Sequence, residues 1–255
     1  MTDQEQVAAM TENLSKPKGN PLTGYFRQPK IFINLPSKGK FYPNNSLDRA
    51  EDNSYAVYAM TAKDELMFKT PDALLSGQST VEVIKSCIPA IQDPWSMPSI
   101  DVDAALVAIR IATYGENMNV SGTCPHCSDE SDYEVPLTRW LSRAQQYEYK
   151  DVLQFGELVI HIRPYSYREM TKTSLRAFEQ QRLLAIVNDG EMSDEEKIEK
   201  FGVGFVKLTE LTVDIIAGTI SQIDTPEGST NDKTHIKEFI DNAPKDLFDV
   251  LQKHI

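Results

Sequence analysis

The chain has 255 residues, 40% of them apolar and 25% charged, enough to build one large core or two small ones and too apolar for a wholly disordered polypeptide. Its 38 acidic residues outnumber 26 basic ones for a formal charge of −12, so it lacks the clustered Lys and Arg that neutralising nucleic-acid phosphates requires. No apolar run reaches the roughly 18–20 residues of a membrane span, no signal segment opens the chain, and Cys87, Cys124 and Cys127 make no even disulfide framework, so the expectation is a soluble protein of a reducing compartment with neither nucleic acid nor membrane as partner.

Residues 1–25 are rich in Gln, Glu, Asn, Lys, Pro and Gly without apolar periodicity and read as a flexible N-terminal arm. Residues 26–164 are expected to form an α+β domain. Its first strand runs from Phe26 to Leu35, with Ile31 and Ile33 on one face and Phe32 on the other, and stops at Pro36. Ser37-Lys38-Gly39-Lys40 follows as a tight turn in which Gly39 takes a positive φ, before Phe41 and Tyr42 return to an apolar surface. This turn is not a phosphate loop, because Asn34 stands where the first glycine belongs and Phe41 follows the lysine. A second strand at Tyr55–Met60 pairs with the first.

Two short helices are expected next, Asp64–Leu75 and Ser79–Ile91, with Gly77 stopping the first. In the second, Thr80, Val83, Ile84, Cys87 and Ile91 share one face, which makes Cys87 a buried small hydrophobe rather than a ligand or nucleophile. Asp93–Ser99, with two prolines, is a connector that Trp95 pins to the core. A helix then starts near Asp101, read as its capping carboxylate, turns Val102, Ala105, Leu106, Ile109 and Thr113 inward, and ends at Gly115. Arg110, beside that stripe, suits the carbonyl end of the helix, with an interface role as the alternative. Residues 117–137 read as two strands joined by a cysteine turn, Trp140 and Arg143–Lys150 as a short helix, and Leu158–Arg163 as a strand that Pro164 ends and that pairs with 131–137.

Residues 165–255 are expected to be helical. Tyr167–Val187 is a long helix ending at Asn188-Asp189-Gly190; Ser193 and Glu196 form a capping box that opens another, running to about Gly218 despite Gly202 and Gly204. A loop at 224–232 precedes two final helices, 232–241 and 243–254. Their apolar stripe of Phe239, Ile240, Leu247, Phe248 and Leu251 is either core packing or a docking surface. The fold class is therefore α+β: a small mixed or antiparallel β unit with a CxxC knuckle, followed by a mainly helical C-terminal half.

The most site-like element is Cys124-Pro-His-Cys127, whose two-residue spacing lets a knuckle turn point both thiolates at one metal. A structural zinc needs four ligands, and the pair supplies two. His161, on the strand expected to lie beside the knuckle, is the best internal candidate for a third, with His126, Cys87 and the acidic residues of 128–134 behind it. Three readings stay open: a zinc site in one chain on Cys124, Cys127 and His161, a site shared between chains, and a knuckle without metal. A thioredoxin-like role is set aside because a strand follows the pair and the acidic 128–132 run is expected to raise the thiol pKa. Gly-x-Ser-x-Gly, His-Glu-x-x-His and Gly-x-Gly-x-x-Gly are all missing, and paired acids such as Asp101 and Asp103 lie where helix starts favour negative charge, so no enzyme is expected.

Five segments in fixed order, LPSKGKFYP (35–43), ELMFKTPDALLSG (65–77), CIP (87–89), DVDAALVAIRIATYG (101–115) and CPHC (124–127), resemble the baseplate proteins of T4-like contractile-tailed bacteriophages. The resemblance spans about 30–250. It implies a non-enzymatic tail component or assembly factor of the baseplate hub. Its partners would be other tail or hub proteins, or a second copy of itself, and its place the host cytoplasm during assembly or the virion baseplate. The competing reading is a zinc-knuckle interaction module unrelated to tails.

Overall fold

A computed structural model describes residue 22 and residues 25–69, 76–187 and 193–254. The arm expected at 1–25 lies almost wholly outside the described residues, as do the end of the first expected helix (70–75) and the Asn188-Asp189-Gly190 stop. The first strand, β1 (Pro29–Asn34), pairs antiparallel with β2 (Ser54–Tyr58), Ile33 opposite Tyr55 and Phe32 opposite Ala56. Period-two alternation buries Ile33, Tyr55 and Val57 and leaves Phe32 outside. Between the strands, Gly39 sits at φ +74 with Leu47 close behind its α-carbon, so the turn needs a residue free to adopt the left-handed region.

Helix α1 (Ala62–Phe68) opens on a Thr61–Asp64 capping box and α2 (Gln78–Cys87) follows. Gly77 is the N-cap of α2 at φ +76, not the stop of the helix before it. α2 ends four residues before Ile91, because Pro89 disfavours helical backbone at Ile88 and cannot donate a helical hydrogen bond itself. Its expected inward face holds: Thr80, Val83, Ile84 and Cys87 are all buried. The Asp93–Ser99 connector is pinned as anticipated, Trp95 stacking on Tyr167 with ring centroids 5.6 Å apart.

Helix α3 (Ser99–Tyr114) starts two residues earlier than expected, directly after Pro98, which is its N-cap and disfavours helical backbone at Met97. Asp101 is consequently inside the first turn and is not the cap. Gly115 ends α3 at φ +94, and Arg110 donates to the Gly115 carbonyl at 3.5 Å while stacking over Tyr114. β1, β2, α2 and α3 enclose the first hydrophobic core, joined by Leu137, Leu141 and Tyr167.

Strands β3 (Asn117–Thr123) and β4 (Glu130–Pro136) form a separate two-stranded ribbon around the cysteine turn. Helix α4 is Leu137–Gln145 rather than 143–150: burying Leu137 and Leu141 fixes its start right after Pro136. β5 (Val152–Phe155), not anticipated from the sequence, pairs with β6 (Leu158–Ile162). The expectation that β6 pairs with 131–137 is wrong. Its other neighbour is β7 (Ile220–Thr225), with Ile160 opposite Ile223 and Ile162 opposite Ile220, so two apolar faces match, whereas β4 offers mostly exposed side chains including Asp132 and Glu134.

The region after Pro164 is not purely helical. α5 (Tyr167–Val187) and α6 (Asp194–Thr219) form a long hairpin, α6 opening on the Ser193–Glu196 capping box and passing Gly202 and Gly204 unbroken. β7 and β8 (Gly228–Thr230) then turn the expected 224–232 loop into a strand hairpin and complete an antiparallel sheet in the order β5-β6-β7-β8. The sheet thus joins segments from both sides of Pro164. Helices α7 (Lys233–Asp241), capped by Asp232, and α8 (Lys245–His254) close the second core. Ile240, Leu247 and Leu251 are buried there and Phe239 and Phe248 pack against them, so the C-terminal stripe is core and not a docking surface.

Candidate functional site

Two of the segments that carry the family resemblance meet in the first core. Pro36 and the tight turn bring Ser37 over the first turn of α3, where Asp101 is fully buried. The carboxylate accepts from the Ser37 amide at 2.8 Å and from Ser37 Oγ at 2.5 Å; that same Oγ accepts from the Gly39 amide at 3.2 Å. The buried Tyr42 hydroxyl faces Asp101 without forming a hydrogen bond of ordinary geometry. Burial pushes the Asp101 carboxyl up to about 6, with the Ser37 bonds pulling the other way. This is a structural tie, and its cost is a carboxylate held out of water.

Similar ties hold other joints. Arg27 donates to the carbonyls of Ala59 and Ser86, both at 2.5 Å, and to Ser86 Oγ at 2.8 Å, with Asp64 at 3.5 Å, closing the entry of the chain onto α1 and α2. Arg163 grips Glu169 in a two-pronged pair of 2.8 and 2.6 Å and reaches the Gly218 carbonyl at 2.9 Å, which locks the end of β6 to the start of α5 and the end of α6. Burial would raise the Glu169 carboxyl, but the bonds from Arg163 and Ser166 outweigh it and hold it at about 2.

The cysteine turn stands at the far end of the β3–β4 ribbon. The Cys124 amide donates to the Asp129 carbonyl at 2.9 Å, the Ser128 amide to the Cys124 carbonyl at 2.8 Å, and Ser128 takes a left-handed φ of +59. Both thiols are free and exposed. The neighbouring Cys127 and His126 amides lower the Cys124 thiol pKa, which corrects the expectation that the acidic residues of 128–132 raise it. His161 is elsewhere, on β6, with its Nε2 2.7 Å from Asp224 Oδ2 on β7. The ligand trio of Cys124, Cys127 and His161 is therefore not assembled, and among the described residues no group of three or more His, Cys, Asp or Glu side chains is placed to hold a metal ion.

A third feature was not anticipated from the sequence. On α6, Ile198, Phe201 and Phe205, spaced i, i+3 and i+7, lie 73%, 54% and 62% exposed, while Gly204 of the same helix is buried. Val203, Val206 and, on α5, Phe178 are also exposed. The capping box and helical period of α6 were legible, but which side of the helix meets α5 was not.

A family model described as T4 bacteriophage base plate protein matches residues 28–255. No curated protein and no solved structure matches the chain. Among the described residues no helix is long and apolar enough to cross a membrane.

Proposed function

The chain belongs to the T4 bacteriophage base plate protein family, and from that premise we propose that it acts without catalysis, docking other tail proteins while the baseplate hub is assembled in the host cytoplasm. The reading of an interaction module unrelated to tails gives way to that membership. The observation that carries the docking role is the outward apolar face of the α5–α6 hairpin. Exposed singly, such side chains need no explanation, but Ile198, Phe201 and Phe205 are adjacent on one helix, and large contiguous apolar patches mark interaction surfaces. A helical face with anchors at i, i+3 and i+7 is the form that helix-in-groove recognition uses. The acidic balance favours solubility before the partner is met.

The test is native mass spectrometry of the purified chain mixed with individual tail-hub proteins, wild type beside the double variant Phe201→Glu, Phe205→Glu. A stable complex with a hub component is expected for the wild type and its loss in the variant, with the thermal melt of the variant unchanged because both rings are exposed. A wild-type chain that ignores every tail protein refutes the reading, and a complex that survives the double variant moves the docking surface elsewhere.

A further inference from the structure

The β3–β4 ribbon is built as though one of its faces were covered. Met118 opposite Val135 and Val120 opposite Tyr133 make an apolar face, while Asn119 opposite Glu134 and Ser121 opposite Asp132 make a polar one. This is the alternation of a half-buried strand pair. Yet Val120, Tyr133 and Val135 are 39%, 60% and 36% exposed, and only Met118, at the base, packs against the first core. A two-stranded ribbon with both faces in water is marginal by itself.

At its tip the turn is closed by two backbone hydrogen bonds. The Cys124 amide donates to the Asp129 carbonyl at 2.9 Å, the Ser128 amide donates to the Cys124 carbonyl at 2.8 Å, and Ser128 carries a left-handed backbone that a non-glycine residue adopts at a cost. That closure leaves both free thiols exposed at the tip of the ribbon, at the two-residue spacing of a metal-binding turn. Zinc in a structural site takes four ligands at about 2.3 Å for sulfur, and among the described residues this chain brings only two near one another. A second copy of the ribbon, related by a two-fold axis, would bring an identical pair of thiols and an equal apolar face.

We propose that Cys124 and Cys127 are half of a tetrathiolate zinc site completed by the same two residues of a second copy, the paired ribbons burying Val120, Tyr133 and Val135 between them. Binding replaces the four S–H bonds with four Zn–S bonds and releases the protons to solvent, so the affinity falls with acid. The inference stands independently of the hub-docking role.

The full chain, kept reduced, is titrated with Zn²⁺ alone and in parallel with Co²⁺, following mass by native mass spectrometry and sedimentation. One zinc per two chains is expected, together with the intense charge-transfer and tetrahedral bands of a cobalt tetrathiolate. Cys124→Ser and Cys127→Ser each abolish metal uptake and the dimer but leave the thermal melt of the monomer in place, and His126→Ala changes none of these. One zinc on a monomer, loss of binding in His126→Ala, or a chain that stays monomeric and metal-free at micromolar zinc each overturns the proposal.

Discussion

Asn in place of Asp101 tests whether the first core really holds a carboxylate away from water. The carboxyl is fully buried and displaced upward from 3.8 to about 6. A folded-state pKa above the unfolded one means that the native state binds the proton more readily, so this group's contribution to stability is greatest in acid and declines as pH rises through the window from about 4 to about 6. A displacement of that size corresponds to about 3 kcal/mol in full, of which about 2.5 kcal/mol falls between pH 4 and pH 7. Asn keeps an acceptor for the Ser37 amide and presents an N–H₂ that the Ser37 oxygen can accept, so geometry survives while titration is removed. Urea unfolding of both proteins at pH 4, 5, 6 and 7 gives the free-energy difference between them. The variant is expected to gain on the wild type by roughly 2.5 kcal/mol across that range. Other carboxylates, such as Glu169, titrate in both proteins and cancel in the difference. A difference that stays flat from pH 4 to pH 7 would falsify the assignment of a desolvated, titrating Asp101.

Glu169→Gln tests the opposite sign: its carboxyl is held down at about 2, so the stability it contributes is present above the unfolded value of 4.5 and is lost as pH falls toward 2. The variant should lose that acid sensitivity and, with the side chain 39% exposed and screened by solvent, only about 1 kcal/mol at neutral pH, read from acid titration by circular dichroism. Gly77→Ala places a methyl 3.1 Å from Thr171 Oγ1 and 3.2 Å from the Tyr167 hydroxyl at a φ of +76, and a drop in Tm equivalent to about 1–2 kcal/mol is expected; an unchanged Tm would mean the N-cap of α2 is not left-handed. Leu251→Ala should cost about 2–5 kcal/mol in denaturant unfolding, as for any fully buried leucine. A loss below about 0.5 kcal/mol, the scale of an exposed site, would place α8 outside the core.

Much of the architecture was legible because the signals are local. Ser193 with Glu196, the alternation around Ile33, and Gly115 after the α3 stripe each specify an element from a few neighbouring residues. The Cys124–Cys127 turn between two strands was legible in the same way. Long-range pairing was not. Ile220 and Ile223 are three apart, a helix-like spacing, and both face the core only because the register with β6 shifts between His161 and Ile162 and steps over Ser221. That irregularity is set by the partner strand, so β7 was hidden and His161 was assigned the wrong neighbours. Asp101 misled for a related reason: an acid near a helix start is ordinarily a cap, and only the return of Ser37 from 64 residues earlier in the chain makes it a buried acceptor. The α6 aromatics were missed because the helical period says that a face exists, not what covers it.

The α5–α6 hairpin leaves the sheet at the end of β6 and returns at the start of β7, two strands that are already bonded to each other. Its roots are fixed near the body by Arg163, Glu169 and the Gly218 carbonyl, by Tyr167 stacked on Trp95 and by Ile216 in the second core. The hairpin is in that sense an arm of adjustable length. Adding one heptad to each helix would carry its tip about 10 Å further from the body, and shortening both by the same amount would draw it in, without a change to the joint. Reach toward a neighbour in an assembly can therefore vary separately from the stability of the protein that does the reaching.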